Sequence, residues 1–168
     1  MNPTAQSNHV PPALTELMRT LGTLAQAHRD LAEILDAQHA AMRSFDAGAM
    51  QQAARRQEAI HRRILRLEQD RRRQVTHLAR PLGLGPKPTL MELAERMPEH
   101  GPALLEMRRQ VREAVEAAAM RSRVCSRVAG SVLGHLNLAL RLLGDGSTYR
   151  RTGGFEMSRP LSRLQAVA

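Results

Sequence analysis

From Leu14 onward, apolar side chains return every three or four residues: Leu14, Leu17, Leu21, Leu24, Leu31, Leu35, Met42 and Phe45, with only His28 and Gln38 breaking the row. On a helix with 3.6 residues per turn, that alternation brings the whole set onto one side. Its persistence over successive heptads marks a seam that another helix must cover. A helix striped in this way depends on lateral partners rather than on its own hydrogen bonds. Pro12 fits the first helical position, where its missing N–H costs nothing. Asp46-Ala47-Gly48 offers a turn, with Asp46 as the N-cap of the next helix.

A second seam runs through Met50, Ala53, Ile60, Ile64, Leu67 and Leu78, with Gln57, Arg71 and Gln74 at in-phase positions and Arg71-Arg72-Arg73 weakening its end. The short connection makes the two helices an antiparallel hairpin. Between Pro81 and Pro88, prolines and glycines end the second helix. Thr89-Leu90-Met91-Glu92 is a capping box that opens a short helix stopping near Met97-Pro98. Gly101-Pro102 then starts a third long helix: Leu104, Met107, Val111, Ala114, Ala118, Cys125, Val128 and Val132, continuing to Leu143 before Gly144-Asp145-Gly146. The expected fold is all-α, an elongated antiparallel three-helix bundle or coiled coil with a short extra helix. Residues 1–11 read as a flexible arm, 12–143 as the helical domain, and the Gly-, Ser- and Arg-rich 144–168 as a flexible or partner-dependent tail.

Composition agrees with helices and removes several function classes. Aromatic residues make up 2% of the 168-residue chain and Trp is absent, a palette poor in the residues that sheets draw on. Cys125 is the one cysteine, so no intrachain disulfide and no multi-cysteine zinc site can form; it reads as a small buried hydrophobe. No apolar stretch approaches the ~18 residues that a membrane span requires. The opening residues lack a basic segment followed by an apolar one, so a secretory signal is not expected and the chain reads as cytoplasmic.

Catalytic and metal chemistry find little support. Asp36-Ala37-Gln38-His39 and Glu58-Ala59-Ile60-His61 have the Asp/Glu-x-x-His spacing that di-iron bundles use, but all four residues flank the seams rather than occupy them. His28 lies on the first seam, where a lone polar residue commonly fixes register. Gly83 to Thr89 lacks the phosphate-loop spacing, and no strand precedes it. No nucleophile elbow and no paired carboxylates in a cleft are present. The reading is therefore not an enzyme, with no cofactor and no metal.

Net charge is +9. Arginines crowd the second helix at Arg55, Arg56, Arg62, Arg63, Arg66 and Arg71 to Arg73, but Glu58, Glu68 and Asp70 are interleaved and stacking aromatics are missing. A salt-bridged solvent face is favoured over a nucleic-acid surface. A basic coiled-coil binder of nucleic acid or of an acidic protein remains the alternative, beside a structural homo-oligomer.

The end of the third helix stands apart. Leu133, Leu136, Leu140 and Leu143 form one ridge, and Val132, Leu138, Ala139 and Leu142 widen it almost around the helix. An internal seam needs an apolar stripe of ~100°, so this segment has more apolar surface than two neighbours require. Counted against the second helix, the third should also overshoot by several residues. Surplus apolar surface of this kind is a docking or dimer surface, unless an upstream arm or the tail folds over it.

The order of features resembles the FlgN family of flagellar export chaperones. The likeness runs from about Leu14 to Gly153: the Leu-rich first helix, Asp46, Gln57-Glu58-Ala59-Ile60, Leu65-Arg66-Leu67-Glu68-Gln69-Asp70-Arg71, the break at Leu82-Gly83, Thr89-Leu90-Met91-Glu92-Leu93-Ala94, a long last helix, and Tyr149 followed by Gly153. Two features depart from the family pattern. Asn137 lies later than the asparagines common in its last helix, and the tail beyond Gly153 is long and Arg-rich. The resemblance implies a bacterial cytoplasmic chaperone for the hook-associated proteins of the hook–filament junction. Such a chaperone would hold their C-terminal helical segment unassembled and deliver it to the type III export apparatus, whose components are further expected partners. The expected partner-binding residues are Leu133, Leu136, Leu140, Leu143 and Tyr149.

Overall fold

A computed structural model describes residues 11–144, and the surroundings of side chains as far as Arg141. Four helices make up the described chain: α1 (Pro12–Arg43), α2 (Ala47–Ala79), the short α3 (Leu90–Arg96) and α4 (Gly101–Gly144). No strand occurs among the described residues. The chain is all-α, as its periodicity predicts; Gly144, expected to open the tail, is the last residue of α4, while the 145–168 part of the tail and the 1–10 part of the arm lie outside the described residues.

Each boundary has a local cause. Pro12 occupies the first turn of α1, while Leu14 and Thr15 donate to the Pro11 carbonyl at 2.8 and 3.1 Å. The Asp46 side chain caps α2 by accepting from the Ala49 N–H at 2.9 Å. The capping box on α3 is complete. Glu92 N–H donates to Thr89 Oγ1 at 3.2 Å, and Thr89 N–H donates to Glu92 Oε2 at 2.7 Å. Thr89 Oγ1 also donates to Glu92 Oε2 at 2.9 Å. The Thr89 backbone bond first, and this hydroxyl bond second, favour the carboxylate and hold the Glu92 pKa below its ordinary value.

The first turn differs from the expectation in one respect. Phe45, expected on the first seam, is 73% exposed and has φ of 54°. It is the left-handed residue of a Schellman motif: Asp46 N–H bonds the Ala41 carbonyl at 3.0 Å and Phe45 N–H bonds that of Met42 at 3.3 Å. Glycine is the usual occupant, because a side chain there costs roughly 1–2 kcal/mol. The seam therefore ends at Ala41 and the half-buried Met42.

Residues 11–131 pack as a three-helix bundle around two clusters. In one, Leu14, Leu17 and Leu21 of α1 meet Val75 and Leu78 of α2, Leu90 and Leu93 of α3, and Leu104 of α4. In the other, Ala27, Leu31 and Leu35 meet Ile60 of α2 with Ala118 and Cys125 of α4. The pairings make α2 antiparallel to α1, and the Asp30–Arg63 ion pair at 3.6 Å lies in that register. α4 runs parallel to α1 in a constant register. Arg121 Nε donates to Asp36 Oδ2 at 2.7 Å across 85 positions, and Met107 lies against Gly22 at the same separation. The bundle is the three-helix arrangement that the seams require, with α3 closing one cluster.

Two details of the core were not in the periodic pattern. Val75, at 2% exposure, turns inward where the strict heptad placed Gln74; Gln74 is half-buried and its Oε1 has no partner among the described residues. Gly101 begins α4 so close to α3 that a Cβ would stand 2.6 Å from the Ala94 carbonyl oxygen. Only glycine permits that approach.

Candidate partner-binding surface on the last helix

As far as Val128, α4 has one apolar line. Leu104, Ala114, Ala118 and Cys125 are buried on it, with Met107, Val111 and Val128 partly so. Arg121 takes an in-phase position and is matched by Asp36. The outer face of this stretch carries ion pairs along the helix, Arg109 with Glu106 at 2.7 Å and with Glu113, and Arg112 with Glu116 at 2.7 Å, beside the exposed Leu105, Met120 and Val124. Hydrogen bonds from Arg109 and Gln110 lower the Glu106 pKa to about 2. The Arg109 and Arg112 guanidiniums are correspondingly held above their ordinary value, chiefly by bonds to Glu106 and to Glu116.

From Val132 the composition changes while the helix continues. The stretch to Arg141 contains no carboxylate, and its leucines face outward: Leu133 is 61% exposed, Leu136 53%, Leu138 56% and Leu140 65%. At ~100° per residue, Leu133, Leu136 and Leu140 stand on one side of α4, and Leu138 stands on another. Gly130 and Gly134 have nothing within 4 Å of a Cβ built on them, so no close neighbour calls for glycine at either position. Each lowers helix stability by ~1 kcal/mol relative to alanine.

Of the expected partner-binding residues, Leu133, Leu136 and Leu140 are together on one exposed face. Leu143 lies in the helix but its surroundings are not described, and Tyr149 lies outside the described residues. Leu138, which was not in the proposed ridge, is equally exposed.

The other candidate groups are occupied in the scaffold. The Asp36 carboxylate receives Arg121, and that of Glu58 receives Arg62 at 2.6 Å. On α2, Glu68 takes Arg71 at 2.8 Å, and Asp70 lies 3.9 Å from Arg73, so much of the basic face is paired. His28 is half-buried on its seam. Burial pushes its pKa below the ordinary value, Glu68 opposes the fall and His61 adds to it. Cys125 is buried with Sγ 3.2 Å from the Leu35 carbonyl oxygen; burial, and secondarily Asp36, push its pKa up, the reverse of a reactive thiol. Among the described residues no helix is long and apolar enough to cross a membrane.

Among known protein families, residues 13–154 fit the family model described as FlgN protein. No curated protein and no solved structure matches the chain.

Proposed function

This chain belongs to the FlgN family, and from that premise we propose which flagellar substrates it serves and which surface holds them. Family membership makes it a flagellar export chaperone in the general sense and places it in a chaperone family rather than an enzyme family. Our reading is that it works in the cytoplasm on the hook-associated proteins of the hook–filament junction. It covers their C-terminal helical segments until delivery to components of the type III export apparatus.

The observation that carries this reading is the outward row of Leu133, Leu136 and Leu140 on a helix segment without carboxylates. An amphipathic substrate helix presents apolar residues at i, i+3, i+4 and i+7, and a leucine row with the same period is its complement. A segment that normally assembles through such a face is kept from assembling while the face is covered. The glycines at 130 and 134 make the bare helix locally weak, so a bound helix would add order as well as contact.

The test is co-purification of the full chain with a hook–filament junction protein, using Leu136→Asp/Leu140→Asp. Substrate capture should be lost while helicity by circular dichroism is retained. Capture at the wild-type level by a folded double variant would falsify the placement of the surface. Capture of other flagellar export substrates but no junction protein would move the chaperone to a different client.

A further inference from the structure

We propose that a basic cleft between the last turns of α2 and the Pro86–Pro88 strap is a docking site for an acidic peptide segment of a partner protein. Arg71, Arg72, Val75, Thr76, Pro86, Lys87 and Pro88 line a cavity of about 450 Å³. Its wall carries three cations and no carboxylate. The nearest acid, Glu68, is committed to Arg71, whose Nε and Nη2 donate to one oxygen at 3.2 and 2.8 Å. Arg72 is left with a loose contact to the same oxygen at 3.9 Å and is 76% exposed. None of the ion pairs among the described residues engages Lys87.

The fold sets the backbone that carries these cations. Thr76 Oγ1 donates to the Arg72 carbonyl at 2.9 Å within the α2 backbone. Lys87 stands between two prolines, whose rings fix their own φ and drive each preceding residue toward an extended conformation. A cation carried on so stiff a strap loses little backbone freedom on binding. Lys87 is also the chain's one lysine, so a compact ammonium stands beside two planar guanidiniums. Pro86 and Pro88 supply apolar wall beside the charges. Separated cations with apolar surface beside them fit carboxylates spaced along a peptide better than a single small anion.

The experiment is an anisotropy titration of a short fluorescein-labelled, glutamate-rich peptide with the full chain at fixed ionic strength. Arg72→Glu/Lys87→Glu should weaken binding about tenfold, because two exposed charge contacts are reversed. Arg55→Glu/Arg56→Glu, on an exposed part of the same helix, should leave it nearly unchanged. Circular dichroism checks the fold, and Arg72→Gln/Lys87→Gln replaces the reversal variant should that one unfold. Four results would overturn the proposal: no binding to the wild type, unchanged binding to the cleft variant, equal loss with the Arg55/Arg56 control, or displacement of the peptide by inorganic phosphate. A single-stranded oligonucleotide that binds more tightly than the peptide, and whose binding the cleft variant also loses, would assign the cleft to nucleic acid instead.

Discussion

Within one continuous helix, α4, residues 101–131 and residues 132–141 treat apolar side chains in opposite ways. The earlier stretch buries mostly small ones, Ala114, Ala118 and Cys125 beside Leu104, and carries Arg–Glu pairs on its outer face. The later stretch is far richer in leucine and exposes Leu133, Leu136, Leu138 and Leu140. Residue type alone would assign the core to the wrong end. Within residues 101–131, burial follows register with α1 and α2. On the proposed function, the exposed leucine row of residues 132–141 is the surface offered to a client.

The contrast can be broken by substitution, and the largest effect is expected in the earlier stretch. Leu104→Ala, at a fully buried position shared by three other helices, should lower stability by about 2–5 kcal/mol in urea unfolding. Gly101→Ala should follow at about 1–3 kcal/mol, because the new methyl meets the Ala94 carbonyl oxygen and α3 must shift. The same exchange in the later stretch should have the opposite sign. Gly134→Ala meets nothing and should strengthen the local helix by about 0.5–1 kcal/mol, read as slower amide exchange over residues 132–141. Arg121→Ala removes a half-exposed pair with Asp36 and should cost no more than about 1 kcal/mol. Leu136→Ala should change the unfolding free energy by less than about 0.5 kcal/mol while weakening junction-protein capture. A loss there as large as at Leu104 would mean that Leu136 belongs to the core and that the contrast is false.

The helices and their pairing were legible because a heptad seam states both its face and its need for a partner. Leu14, Leu17, Leu21, Leu24, Leu31 and Leu35 are all buried where the spacing puts them. Asp46 and Thr89 cap as their side-chain chemistry predicts. Phe45 escaped the reading because it continues the spacing by coincidence, and nothing in the residue itself announces a left-handed turn normally filled by glycine. Val75 escaped it because a 3.6-residue helix drifts by ~20° per heptad against a strict seven-residue repeat, and the polar run Arg71–Gln74 gave no later anchor to correct the phase. Of the proposed surface, Leu133, Leu136 and Leu140 were legible as excess, since a helix apolar on several sides exceeds what an inner stripe needs. The basic cleft was not legible, because Lys87 meets Arg72 only through the path of the proline-rich strap.

The matched register of α1 and α4 has a consequence for how this chain can change length. Removing one residue between Gly22 and Asp36 would rotate everything after it by ~100°, and Met107 and Arg121 could no longer both find their counterparts. Removing a whole heptad from each long helix at matching heights would leave every seam in phase. Length in the paired region is therefore quantised, and a graft or truncation made there succeeds only in steps of the repeat. At this offset Arg43, where α1 ends, falls opposite Val128, so the quantisation stops there. Beyond that point single residues can be spliced in or out without disturbing the α1 pairing.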